Sequence, residues 1–244
     1  MLKKYGSEYH ASASGFSIFE LAIVLAIVST LLGGLLLSLS EVRESNNRTD
    51  AKSTMDEIKQ ALYGFAQTNG RLPCPATTTS LGAEAPLGGG VCTQRYGFLP
   101  WTTLGLSGPT NIDNLLMDSW LSPYRYNVSN VSASAFTTVG QMRTLGIAVL
   151  APNLQICTAA ACGAGTVLVN SAPAVVVTLG ANFATFTSLD ELANSGETTL
   201  NGYRHANNNN FVSGVYNEAT FDDMITWLSP SILYTKMIAA GQLP

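Results

Sequence analysis

The stretch GFSIFELAIVLAIVSTLLGGLLLSLS, Gly15 to Ser40, decides how this chain is read. From Leu21 to Ser40 it holds 20 consecutive uncharged residues. As a helix, that length spans roughly 30 Å, about the hydrocarbon thickness of a bilayer. No other part of the 244-residue chain compares with it. The expectation is one membrane segment followed by one sizeable domain. A secretory signal would have an apolar core of about 7–15 residues and a small-x-small cleavage site. Here the run is longer and is followed by Glu41-Val42-Arg43-Glu44. A plain N-terminal anchor is the competing reading. One acid, Glu20, sits at the leading edge of the run. A charged residue costs about 2.5–3.5 kcal/mol at the centre of a membrane helix and less near the interface. Glu20 therefore either lies at headgroup level or has a partner.

The local pattern favours a partner. Gly15-Phe16-Ser17-Ile18-Phe19-Glu20-Leu21 resembles the processing motif of type IV prepilins and pseudopilins. That motif has a leader ending in Gly, then Phe, Thr or Ser, two apolar residues, Glu and Leu. The resemblance implies cleavage after Gly15 by a prepilin peptidase and N-methylation of the new terminus at Phe16. It makes Glu20 the assembly residue, its carboxylate paired with the N-terminal ammonium of a neighbouring subunit. A buried charge is strongly disfavoured alone and tolerated when paired. Ser14 stands where the family usually has Lys or Arg, and Lys3 and Lys4 lie further back. A second stretch, Asp118-Ser119-Trp120-Leu121-Ser122-Pro123-Tyr124-Arg125-Tyr126, is similar to the D-x-W-G-x-P-Y-x-Y segment of major pseudopilins of type II secretion. Leu121 replaces its glycine. In this segment Asp and Pro are expected to shape a turn while Trp and Tyr pack against the long helix.

Four segments are expected. Residues 1–15 are a leader, 16–40 a transmembrane or filament-core helix, 41–69 its amphipathic continuation, and 70–244 a periplasmic head. Met55, Ile58, Leu62 and Phe65 recur on one face of a 3.6-residue period, and Asn69-Gly70 is a stop signal. Gly33-Gly34 and Ser45-Asn46-Asn47 are low-propensity spots within the helix. Beyond Arg71 the chain is punctuated by Gly, Pro, Thr and Ser, and residues 71–110 read as loop. Strand-like runs follow at Tyr124–Val131, Leu145–Leu150, Val167–Val169 and Ala174–Leu179, the last suited to a buried central strand. Asn207–Asn210 reads as loop. The end reads as helix, over Phe221–Trp227 and again from Ser229-Pro230 to Gly241, with Leu228, Ile232, Leu233 and Ile238 toward the core. The fold expected is thus α+β and pilin-like. A long N-terminal helix, membrane-spanning in its first half, packs on an antiparallel β-sheet head with a C-terminal helix.

The cysteines are Cys74, Cys92, Cys157 and Cys162. An even number in an exported domain reads as two disulfides with three possible connectivities. The closest-in-sequence pairing is Cys74–Cys92 with Cys157–Cys162. Lys3 and Lys4 before the apolar run, against Arg43, Arg48, Lys52 and Lys59 after it, do not decide orientation. The resemblance and the cysteines place the head outside the cytoplasm, on a single-pass inner-membrane protein.

Little points to catalysis or to a cofactor. His205 is the one histidine after Gly15, in a polar stretch, and no P-loop, GxSxG or HExxH pattern occurs. Asp222-Asp223 is read as opening and capping a helix. Asp190, Glu191, Glu197, Asp222 and Asp223 could supply oxygen ligands to calcium, but their spacing matches no calcium loop. There is no CxxC for zinc. The 12 basic residues are scattered among 16 acidic ones, which argues against nucleic acid. The expected function is a minor pilin or pseudopilin, a structural rather than enzymatic subunit of a type IV pilus or type II secretion pseudopilus. Its implied partners are other pilin or pseudopilin subunits, the prepilin peptidase and an inner-membrane assembly platform. The alternative is a membrane-anchored periplasmic binding module that does not polymerise.

Overall fold

The computed structural model describes residues 15–186, 188–196, 198–200, 203–205, 209–218 and 220–244, with backbone alone at 34–39, 198–200 and 205. The expected leader up to Ser14, together with Glu197 and Asn207, lies outside the described residues. Helix α1 (Ile18–Asn69) continues through both low-propensity spots. It stops where Gly70 turns to φ 66°, a left-handed position that glycine takes without a Cβ penalty. A Cβ at Gly70 would also come within 2.6 Å of the Gln242 side chain.

Packing divides the chain into two compact units between Asn46 and Asn47. The first contains the opening part of α1. The second begins with the rest of α1 and adds β1 (Tyr96–Phe98), α2 (Trp101–Leu104), β2 (Arg125–Val128), α3 (Val131–Ser134) and α4 (Gln141–Leu145). There follow β3 (Leu154–Cys157), β4 (Val167–Ala172), β5 (Ala174–Thr178), α5 (Leu189–Ser195), β6 (Thr198–Leu200) and β7 (Tyr203–His205). The chain closes with β8 (Asn210–Val212), β9 (Met224–Trp227) and α6 (Pro230–Ala239).

The central sheet is antiparallel, in the order β1-β2-β5-β9. Its β5 is buried at every position, which explains an unbroken Ala-Val-Val-Val-Thr run with no polar alternation. Successive side chains leave opposite faces. Ala174 and Val176 join Met55, Ile58, Leu62, Tyr126 and Leu233 in one core. Val175 and Val177 join Leu154, Ile156 and Phe211 in another. The sheet thus separates a helical layer from a second, smaller sheet, β4-β3-β8. In α6, Ser229 is the N-cap residue and Pro230 opens the helix, as expected. The Ser229 N–H donates to the Tyr63 hydroxyl at 3.0 Å, tying α6 to α1. The buried positions of α6 are Leu233, Tyr234 and Met237, whereas Ile232 and Ile238 are exposed. The loop after α1 is knitted by a buried, two-pronged ion pair. Arg71 Nη1 and Nη2 donate to Glu84 Oε2 and Oε1 at 2.7 and 2.6 Å, and Glu84 also accepts the Cys74 and Gly88 N–H groups.

Several expectations are corrected. Among the described residues no helix is long and apolar enough to cross a membrane. The membrane-spanning first half and the single-pass inner-membrane placement with a periplasmic head are therefore withdrawn. The pilin-like architecture, one long N-terminal helix laid on an antiparallel sheet head, is also withdrawn. The residues of α1 that share a core with the sheet, Met55 to Ala66, belong to a different compact unit from its beginning. Among the described residues the β-structure is split over three sheets, and β3 pairs with β8 in parallel. Leu145–Leu150 is no strand, since Leu145 ends α4 and the chain then turns. Residues 221–227 are not helical, because Met224–Trp227 pairs with β5 as an edge strand. The stretch read as loop at 71–110 contains β1 and α2, and Asn210 opens β8.

Candidate functional site

The candidate site is the start of α1. Ser17 and Glu20 form a reciprocal capping box. The Glu20 N–H donates to Ser17 Oγ at 3.2 Å and the Ser17 N–H donates to Glu20 Oε2 at 3.0 Å. The S-x-x-E spacing of Ser17 and Glu20 is the sequence signal of this cap. One carboxylate oxygen, Oε1, has no partner among the described residues. A carboxylate in the first turn also complements the helix dipole.

Around this cap the surface is apolar. Phe16 is 88% exposed, Ile18 89% and Phe19 76%. Leu21, Ile23, Val24, Leu25, Ile27, Val28, Leu31 and Leu32 are exposed as well. Each residue advances about 100° round the helix, so these positions cover every side of it. The hydroxyls in this segment are satisfied internally, Ser29 on the Leu25 carbonyl at 2.7 Å and Thr30 on that of Ile27 at 2.8 Å. A monomer rarely exposes a continuous apolar surface of this extent without something to cover it. A Cβ at Gly15 or Gly33 would meet no atom within 4 Å, so packing inside the chain requires neither glycine.

The four cysteines form the two closest-in-sequence disulfides, Cys74–Cys92 and Cys157–Cys162, each with Cα atoms 5.3 Å apart. The second lies at the end of β3, where Cys157 pairs with Val167 and Val212.

The acidic residues singled out from the sequence are structural. Asp190 Oδ1 accepts the Ala160 N–H at 2.7 Å. Glu191 completes a capping box with Ser188 and accepts from Asn182 Nδ2. Asp222 and Asp223 cap no helix, because the segment they precede is β9. Asp222 Oδ2 accepts the Ala181 and Asn182 N–H groups at 2.7 and 3.1 Å, and Asp223 Oδ2 accepts from Asn194 Nδ2 at 2.9 Å. Gly180, at φ 61°, gives Asp222 room, for a Cβ there would lie 2.4 Å from its carboxyl carbon. Burial raises the pKa of Asp222 and lifts that of Asp223 well above the ordinary carboxylate range. Burial also pushes Asp118 up to about 6. Asp118 Oδ1 accepts the Trp120 and Ser122 N–H groups, which shapes the expected turn, and Oδ2 accepts from the Thr178 hydroxyl. Among the described residues, no three His, Cys, Asp or Glu side chains converge as a metal site. The His205 backbone is in β7 and its side chain lies outside the described residues.

Sequence reasoning also passed over Arg125. It is buried in β2 with its guanidinium 4.4 Å from the Phe98 ring and 5.2 Å from that of Tyr203. No family model, curated protein or solved structure matches this chain.

Proposed function

We propose that this chain is a structural subunit, a minor pilin or pseudopilin, of a type IV pilus or type II secretion pseudopilus. It is cut after Gly15, N-methylated at Phe16 and assembled through the start of α1. The observation that carries the reading is an apolar helix exposed on every side, headed by a capped carboxylate whose second oxygen has no partner among the described residues. A helix that is apolar all round requires neighbours on more than one side. Identical helices in a bundle supply them, and the ammonium of a neighbour's Phe16 supplies the charge that Glu20 Oε1 lacks. The Gly15-Phe16 peptide precedes the helix and its glycine is unencumbered, which suits cleavage there.

Glu20 thus has two roles, cap and assembly partner, and one substitution separates them. Gln retains the capping box, because its amide oxygen accepts the same N–H. It removes the charge. Glu20→Gln is expected to leave the fold and yield of the subunit unchanged while excluding it from filaments of the native host. Full incorporation overturns the ion-pair role. Intact-mass analysis of protein recovered from that host is expected to show a chain beginning at N-methylated Phe16. Recovery with Met1 still attached, and no filament containing the chain, overturns the whole reading.

A further inference from the structure

Arg125 carries a buried charge that its described neighbours do not balance. Its side chain is 3% exposed, and Nε and Nη1 are buried with no hydrogen-bond partner among the described residues. It forms no ion pair there either. A buried charge left alone is strongly disfavoured. We propose that Arg125 and Asn127 together hold a small monovalent anion of the size of chloride, on the face of the central sheet opposite α1. The site is separate from the start of α1 and independent of the filament reading.

Alternation along β2 fixes the place. Tyr126 and Val128 join the core shared with α1, so Arg125 and Asn127 leave the other face. On that face Arg125 stands opposite Phe98 of β1 and Val177 of β5, and Asn127 stands opposite Tyr96 and Val175. Tyr96, Val175 and Val177 belong to the second core, with Phe211. The guanidinium lies 4.4 Å from the Phe98 ring and 5.2 Å from that of Tyr203. These rings attract a cation but give its N–H groups no carboxylate or carbonyl oxygen. The tyrosine hydroxyls of this face are engaged elsewhere. Tyr96 donates to the Asn194 carbonyl, and Tyr203 donates to Asp113 Oδ2 at 3.3 Å while accepting from Asn111 Nδ2 at 3.2 Å.

The donors and acceptors left over point to an anion. Asn127 is 0% exposed, and its Nδ2 and Oδ1 are also buried without partners among the described residues. Side chains two residues apart on a strand leave the same face roughly 6.5 Å from each other, so one small ligand between them reaches both. The unmet donor atoms are Arg125 Nε, Arg125 Nη1 and Asn127 Nδ2, against one unmet acceptor, Asn127 Oδ1. A water molecule brings donors of its own and no charge, so it leaves the surplus of donors and the cation unbalanced. An anion brings acceptors alone and neutralises the guanidinium.

Burial and charge then narrow the ligand. Both side chains are shut away from solvent, so the ion must shed its water and be small. One guanidinium balances one negative charge, and a divalent anion such as sulfate would bury a second charge unpaired. Burial lowers the Arg125 pKa, and no carboxylate contributes to the shift, yet a guanidinium stays protonated at neutral pH.

The test is an NMR titration of the full chain in which sodium chloride replaces sodium gluconate at constant ionic strength, following the side-chain Nε–Hε resonance of Arg125. Holding ionic strength constant removes general screening from the comparison. Chloride is expected to move the resonance saturably, whereas gluconate is monovalent but too bulky for an enclosed site. Urea unfolding in the same salts gives a second reading. An anion that binds only the folded state raises the folding equilibrium constant about tenfold for each tenfold rise in its concentration above Kd. Arg125→Met removes the charge and should abolish that dependence. Asn127→Asp sets a carboxylate beside the guanidinium, supplies the anion from within the chain and should abolish it too, which decides the matter if Arg125→Met does not fold. Absence of a saturable chloride shift overturns the proposal. So does an equal response to both salts, or full chloride dependence retained in either variant.

Discussion

Asp118 offers the most quantitative test of the folded domain. Its side chain is 3% exposed and lies at the turn before β2. Burial pushes its pKa up to about 6, outweighing the hydrogen bonds it accepts from Thr178, Ser122 and Trp120, and the nearby charge of Asp222 adds to the rise. An unfolded aspartate titrates near 3.9. The unfolded chain therefore releases this proton first. Between about pH 4 and about pH 6 the folded state still holds it, so folding stability falls as pH rises through that window. A shift of about two pKa units corresponds to about 3 kcal/mol lost at neutral pH relative to pH 4. Asp222 and Asp223 are raised by burial in the same direction, so they steepen the trend. Asp118→Asn isolates the first contribution. The Asn carbonyl can accept both backbone N–H groups while its amide donates to the Thr178 hydroxyl, and it never ionises. Urea unfolding followed by tryptophan fluorescence, from about pH 4 to about pH 7.5, should show wild-type stability declining with pH. The variant should decline less by about 3 kcal/mol and be the more stable protein at neutral pH. Parallel curves for the two proteins, or a variant less stable than wild type at neutral pH, would refute the reasoning.

Two further outcomes are expected. Leu121 is 66% exposed and adopts φ 64°, so Leu121→Gly should relieve left-handed strain at little loss of buried area and raise the unfolding free energy by about 1 kcal/mol in the same urea assay. Removing Cys74–Cys92, which closes a separation of 18 residues, should cost about 3 kcal/mol, against about 2 kcal/mol for Cys157–Cys162 with a separation of 5. Paired Cys→Ala variants compared by thermal and urea unfolding check both the size and the order.

Sequence alone determined those features whose physics is local. The Met55, Ile58 and Leu62 stripe, the stop at Asn69-Gly70, the buried strand of valines and the Ser229-Pro230 helix start depend on spacing and backbone chemistry within a few residues. The S-x-x-E cap at Ser17 is equally local, since both of its hydrogen bonds lie within four residues. Only the tertiary structure decided the rest, because the deciding partners are remote in the chain. Residues 224–227 are strand rather than helix because β5 offers them an open edge, and strand identity follows pairing more than propensity. Asp222 and Asp223 are buried acceptors rather than helix caps because residues 181, 182 and 194 bring N–H groups to them. Arg95 and Ser134 line one cavity although 39 positions separate them in sequence, and only chain folding brings such groups together. The extent of the apolar helix illustrates the same divide. Composition measured its length, whereas its packing split at Asn46 and its exposed flanks emerged only in three dimensions.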